Sequence, residues 1–126
     1  MPLPTQEKLF HKYYVAYIPN VLAASSPAIA VSGRGRVVDI RYVPTIATAT
    51  ANQTVTPKVN STQMQLNGAN VTGTITNAAP LNVVDTIINP NGLNIVDQGD
   101  VVVLTLSGTG TAGGGYFTVT VDERSI

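Results

Sequence analysis

The sequence predicts an all-β fold, an antiparallel β-sandwich or jelly roll with an N-terminal arm. Three observations carry this. The 126-residue chain holds 17 Val, 9 Ile and 16 Thr, β-branched residues that lose χ1 freedom in helices and suit a pleated surface. Several segments alternate with period two, the spacing of side chains on one face of a strand. Gly, Pro and Asn break the chain at short intervals. A length of 126 residues fits one domain on the usual scale of roughly 100–200 residues per domain. Residues 1–14 read as the arm and residues 15–126 as the sandwich.

The elements follow in order. Pro2 and Pro4 open a polar segment without the basic and apolar regions of a secretory signal. Within the arm, Gln6–Tyr14 has room for two helical turns, with Leu9, Phe10, Tyr13 and Tyr14 sharing a face. Strand signals come next at Tyr13–Ile18 and Ala28–Ser32. In Arg36–Val43, Val38, Ile40 and Tyr42 alternate against Val37, Asp39, Arg41 and Val43. Thr45–Thr56, Gln63–Leu66, Asn70–Thr76, Leu81–Ile88 and Leu93–Val96 are weaker strands. Asn67-Gly68 is a two-residue turn, because both residue types tolerate φ > 0. In Asp100–Ser107, Val102, Leu104 and Leu106 oppose Val101, Val103 and Thr105. In Tyr116–Asp122, Phe117, Val119 and Val121 oppose Tyr116, Thr118 and Thr120. Gly108–Gly115 should join these last two strands as a long, flexible hairpin loop.

Composition narrows the function. Seven Lys+Arg balance seven Asp+Glu, only 11% of residues are charged, and there is one His and no Cys or Trp. An ordinary domain is about 25% charged. The absence of Cys excludes a thiol nucleophile, a zinc–thiolate site and disulfides, and one His cannot make a multi-His metal centre. Zero net charge argues against nucleic acid as a partner. No apolar run is long enough to span a bilayer, so no membrane partner is expected. The charge is also dipolar: residues 1–63 sum to +4, residues 64–126 sum to −4, and Lys58 is the only charge between Tyr42 and Val84. A chain this poor in charge is weakly protected against association, although its 16 Thr and 10 Asn also solvate it. Apolar residues on both faces of Val101–Leu106 and Leu81–Ile88 point to a second covered face, by the arm or by copies of the chain.

Few residues look chemical. Gly108–Gly113 spells G-x-G-x-x-G but is followed by a strand, where a dinucleotide site needs a helix. Asp97-Gln98-Gly99-Asp100 reads as a turn capped by Asp side chains rather than a calcium loop. His11 has no second His and no Ser in a nucleophile-elbow setting. No catalytic residue, cofactor or metal is therefore expected. Arg34, Arg36 and Arg41 form the only basic cluster and could grip a partner's carboxylates, or phosphate equally well, through paired hydrogen bonds. With Leu9, Phe10, Tyr13 and Tyr14 they are the expected partner-binding residues.

Residues 43–121 resemble small β-rich structural proteins of tailed bacteriophages, above all capsid decoration (cement) proteins. The likeness lies in Thr-Ala-Thr-Ala-Asn-Gln-Thr-Val-Thr-Pro-Lys-Val-Asn (48–60), Leu-Asn-Gly-Ala-Asn-Val-Thr-Gly (66–73), Gln-Gly-Asp-Val-Val-Val-Leu-Thr-Leu-Ser-Gly-Thr-Gly (98–110) and Tyr-Phe-Thr-Val-Thr-Val (116–121). The resemblance implies a non-enzymatic homotrimer on the virion surface, made in the host cytoplasm, with the major capsid protein as partner. It also implies that residues 1–14 reach across to neighbouring capsomers. A receptor- or glycan-binding module of a phage appendage is the competing reading, using loops such as Asn89–Leu93 and Gly108–Gly115.

Overall fold

A computed structural model describes residues 10–21 and 26–123. Among these there are twelve strands and no α-helix. They are β1 (His11–Ile18), β2 (Ala28–Ala30), β3 (Gly35–Ala49), β4 (Gln53–Val59), β5 (Thr62–Gln63), β6 (Gln65–Leu66), β7 (Ala69–Asn70), β8 (Gly73–Ile75), β9 (Thr86–Ile88), β10 (Ile95–Val96), β11 (Val101–Gly108) and β12 (Ala112–Asp122). Two antiparallel sheets form a sandwich. The first has the order β1-β12-β3-β10, with β9 also on β3. The second has the order β2-β11-β4-β5, with β8 also on β4. A small hairpin, β6–β7, turns through Asn67 and Gly68 at φ 53° and 82°, as the sequence predicts.

Both sheets feed one core. Ile18, Val37, Ile40, Tyr42, Ile88, Val96, Phe117, Val119 and Val121 come from the first. Val55, Val59, Ile75, Val102, Leu104 and Leu106 come from the second. Phe117 pairs with Tyr42 across β12 and β3, their rings 4.8 Å apart, within the range of favourable aromatic contact.

The structure corrects four expectations. Residues 11–14 are not helical: they begin β1, which pairs with β12 from His11↔Asp122 to Ile18↔Gly115. The aromatic spacing that suits a helix also places Tyr13 and Tyr14 on opposite faces of a strand, and the pairing with β12 selects the strand. Residues 1–9 of the expected arm, Leu9 included, lie outside the described residues.

The second correction concerns β3. Thr120 pairs with Asp39 but Val121 pairs with Val37, so Val38 is an extra residue, a β-bulge. The bulge resets the alternation, and Val37 joins Ile40 and Tyr42 in the core.

Third, β11 and β12 do not form a hairpin, because they belong to opposite sheets. Both edges of β11 are already taken by β2 and β4, so the glycine segment must cross between layers. Its glycines are close-packed rather than loose. A Cβ on Gly114 would meet the carbonyls of Ile18 and Pro19 at 2.8 and 2.7 Å, and one on Gly115 would meet the Val43 carbonyl.

Fourth, Leu81–Asp85 is not strand. Asn82 sits at φ 63°, and the segment is held by Asn82 N–H to Pro44 O (2.8 Å) and Asp85 N–H to Tyr42 O (2.9 Å). Only Thr86–Ile88 pairs with β3.

Candidate protein-binding face

The two outer faces of the sandwich differ in chemistry. Strand register places Ala28, Ala30, Thr54, Thr56, Lys58, Val101, Val103 and Thr105 on the outer side of the second sheet. These are small or hydroxyl-bearing side chains, and Val101 and Val103 are half-buried between their neighbours. That flanking explains how β11 is apolar on both sides without a second covering layer.

The outer face of the first sheet is aromatic and apolar. Directly opposed residues in an antiparallel ladder point the same way, so register assigns its rows. Tyr17, Tyr116 and Val43 form one row, and Val15, Thr118, Arg41 and Ile87 the next. Tyr13, Thr120 and Asp39 form a third, followed by His11, Asp122, Arg36 and Ile95. The Tyr17 and Tyr116 rings pack against each other, centroids 5.0 Å apart and planes tilted at 49°. Tyr13 is 58% exposed, Val15 63% and Ile87 50%. Val84 joins Val43 and Arg41 around a concavity of about 500 Å³, whose other walls include His11, Tyr13, Asp39 and Thr118. Contiguous exposed apolar surface of this kind marks interaction sites, and Tyr and Arg are the residues enriched where binding energy concentrates.

Charge on this face lies in the three rows away from Tyr17 and Tyr116 and is largely paired within the face. Arg41 reaches Asp39 at 3.4 Å. His11 lies 3.8 Å from the carboxylate of Asp122, which is buried. Arg36 Nε and Asp39 Oδ1 are buried and have no hydrogen-bond partner among the described residues.

The expected partner-binding residues divide. Tyr13, Arg36 and Arg41 share the aromatic face. Phe10 lies at the start of β1, 40% exposed, and its carbonyl accepts the Glu123 amide at 2.8 Å. Tyr14 points the other way, packs against the core and bonds Ser32. Arg34 is elsewhere, in an exposed ion pair with Asp97 at 2.6 Å. The sequence reading missed Val15, Tyr17, Tyr116, Val84 and Ile87 as site residues. The signal for β1 was present: Tyr13, Val15 and Tyr17 recur at period two on a strand whose other face is also apolar.

The remaining polar features are structural. Asp100 accepts the Asp97 amide at 2.8 Å and the Asn60 side chain at 3.2 Å, and these bonds hold its carboxyl below the usual range. No group of three or more metal-ligating side chains occurs among the described residues. Gly108–Gly113 crosses between the sheets, and Gly110 donates to Gln53. Compared with known protein families, curated proteins and solved structures, the chain matches none.

A second concavity, about 450 Å³, lies at one end of the sandwich. It is lined by Arg36, Asn60, Thr62, Leu93, Asn94 and Ile95 among others. Its amides are already committed: Asn60 to Asp100 and Val101, Asn94 to the carbonyls of Val37 and Pro90.

Proposed function

We propose that the chain is a structural virion protein that binds the outside of a phage capsid as a homo-oligomer and stabilises it by clamping adjacent major capsid proteins. The observation that carries the docking role is the aromatic outer face around Tyr13, Val15, Tyr17 and Tyr116, set against a Thr- and Ala-rich face on the other side. The capsid as partner, the virion surface as location and a trimer as assembly rest on the resemblance of residues 43–121 to decoration proteins. A clamp that binds the assembled shell but not its free subunits stabilises the shell by mass action, and several linked copies raise avidity without new contacts. No step of this role requires catalysis.

The test is co-sedimentation with empty shells assembled from the major capsid protein of the phage that carries this chain's gene. The native chain should pellet with shells and raise their melting temperature. Replacing Tyr17 and Tyr116 together by Ser should weaken that binding by about a hundredfold or more, since hot-spot aromatics cost about 2 kcal/mol or more each and ~1.4 kcal/mol is tenfold. Thr105→Lys, on the opposite face, should bind as the native chain does. Equal binding by the Tyr17/Tyr116 variant, or no binding by the native chain, would overturn the reading. The competing glycan-binding reading would use the concavity at Arg36, Thr62 and Leu93. It expects glycan binding that survives the Tyr17/Tyr116 change and is lost on Thr62→Trp.

A further inference from the structure

We infer that β1 is a self-pairing edge, through which two copies of the chain join their aromatic sheets about a two-fold axis. The inference is independent of the capsid reading.

β1 closes one side of the first sheet and pairs with β12 alone among the described strands. A free edge strand offers a row of unpaired amides and carbonyls to any other strand, and proteins usually blunt it with charge, proline or a bulge. This one has none of these in its centre. His11–Ile18 is eight residues long, runs in unbroken register, and carries Lys12 as its only formal charge. Val15, at its middle, is the most exposed large apolar side chain of the described residues at 63%.

The hydrogen-bond phase of the edge is fixed. Phe10 O accepts the Glu123 amide, directly opposite in the β1–β12 register. Antiparallel ladders alternate bonded and non-bonded pairs, so Lys12, Tyr14, Ala16 and Ile18 bond to β12. His11, Tyr13, Val15 and Tyr17 therefore direct both backbone groups outward. Those same residues carry the outward-facing side chains.

A strand of this phase is complementary to itself. An antiparallel pair centred on Tyr14 sets His11 against the partner's Tyr17 and Tyr13 against the partner's Val15. All four outward residues of each copy are then used, which gives eight backbone hydrogen bonds. Centring the pair on Tyr13 would set Tyr17 against residue 9, beyond the described strand, and centring it on Val15 loses a bond because Pro19 has no amide to offer. In the favoured register Lys12 lies opposite the partner's Ala16, so no like charges meet. Tyr13–Val15 is an aromatic–β-branched pair, which stabilises antiparallel ladders.

The occupant is thus a second copy. The joined sheet keeps both aromatic faces on one side and leaves them open for a third party. A contact one strand deep is smaller than the standard ~800 Å² per partner, so the pairing is concentration-dependent in solution. It is isologous and closes at two copies; a ring of three would need a different surface.

Two variants test it on the full chain. Val15→Pro removes an amide that bonds no other described residue of the monomer, and proline is tolerated on an edge where the amide faces out. It should leave the melting temperature of the monomer within a few degrees and raise the dimer dissociation constant by about tenfold or more, the effect of ~1.4 kcal/mol. Lys12→Cys/Ala16→Cys places cysteines opposite each other only across the dyad. Within one chain they are about 13 Å apart, beyond disulfide reach. Mild oxidation should give a covalent dimer, with no competing native Cys. Sedimentation across the micromolar range should show the native chain moving from 13.2 kDa towards twice that mass. The inference is overturned if the native chain stays monomeric and the double-cysteine variant does not cross-link. It is equally overturned if Val15→Pro associates as the native chain does. Shell binding by a chain that fails these tests leaves the capsid reading standing.

Discussion

Gly110 donates its amide to the buried carboxamide of Gln53 at 2.7 Å, and the same carboxamide donates to the Val21 carbonyl at 2.7 Å. Gln53 opens β4, Val21 follows β1 and Gly110 lies between β11 and β12. One side chain therefore ties three segments at the place where the chain passes between sheets. Gln53 and Val21 are fully buried, so water cannot replace a lost partner. Gln53→Leu keeps the volume but strands one amide and one carbonyl. An unsatisfied buried group costs about 1–3 kcal/mol, so the variant should lose about 3 kcal/mol in urea unfolding. A loss under 1 kcal/mol would show that the crossing is held elsewhere.

The glycines of β12 should be sensitive for a different reason. Gly115 is pressed against the Val43 carbonyl, with Pro44 Cα and the Tyr42 hydroxyl 2.9 and 3.0 Å from where a Cβ would stand. Two of those neighbours are backbone and cannot swing away. Gly115→Ala should cost about 3 kcal/mol, the upper end for overpacking. Gly68 is the contrast: nothing lies within 4 Å of its Cβ position, but its φ is +82°. Gly68→Ala should cost about 1 kcal/mol, the penalty of the left-handed region alone. Thermal unfolding of the two variants side by side separates crowding from strain.

The contrast also marks what could be read in the chain. Alternation separated the two faces of β11 and β12, and the structure buries the sets Val102, Leu104, Leu106 and Phe117, Val119, Val121; Asn67-Gly68 identified its turn. Alternation says nothing about which sheet a strand joins, so β11 and β12 looked like a hairpin although the glycines between them are packed. Nor does it anticipate one inserted residue, which is why Val38 inverted the reading of Val37. The docking face was legible only in part. Tyr13 and Arg41 were visible as aromatic and basic residues, but the Tyr17–Tyr116 ring contact depends on the β1–β12 register, a relation between residues 99 positions apart.

Tyr42 should give the fold an alkaline limit. Its hydroxyl is buried without a hydrogen-bond partner among the described residues. Burial, and secondarily the negative charge of Asp85, pushes its pKa from 10.0 to about 12. Above pH 10 the unfolded chain releases this proton while the native chain keeps it. The native state then binds more protons, so stability falls as pH rises. The contribution is intact below pH 10 and is lost between about 10 and 12, amounting to roughly 2–3 kcal/mol at ~1.4 kcal/mol per unit. Tyr42→Phe should be neutral or slightly stabilising at pH 7, because it removes an unpartnered hydroxyl. It should also flatten the alkaline limb of a stability–pH curve. An unchanged limb would assign the loss to other groups.

Arg34 and Arg41 belong to the same basic cluster in the sequence and should behave differently. Arg34 is paired with Asp97 at 2.6 Å, but both side chains are more than half exposed, 56% and 58%. Exposed pairs contribute about 0–1 kcal/mol, so Arg34→Ala should shift unfolding by less than about 1 kcal/mol. Because Arg34 is off the aromatic face, that change should leave partner docking intact. Arg41 stands on the face between Thr118 and Ile87, with Asp39 at 3.4 Å. Arg41→Glu puts two carboxylates side by side at the rim of the concavity and reverses the charge offered to a partner. Like charges placed across an interface cost several kcal/mol, so shell binding should fall by about a hundredfold while the far-ultraviolet spectrum of a β protein is retained. If Arg34→Ala weakened docking and Arg41→Glu did not, the binding face would lie at the Arg34–Asp97 turn instead of on the first sheet.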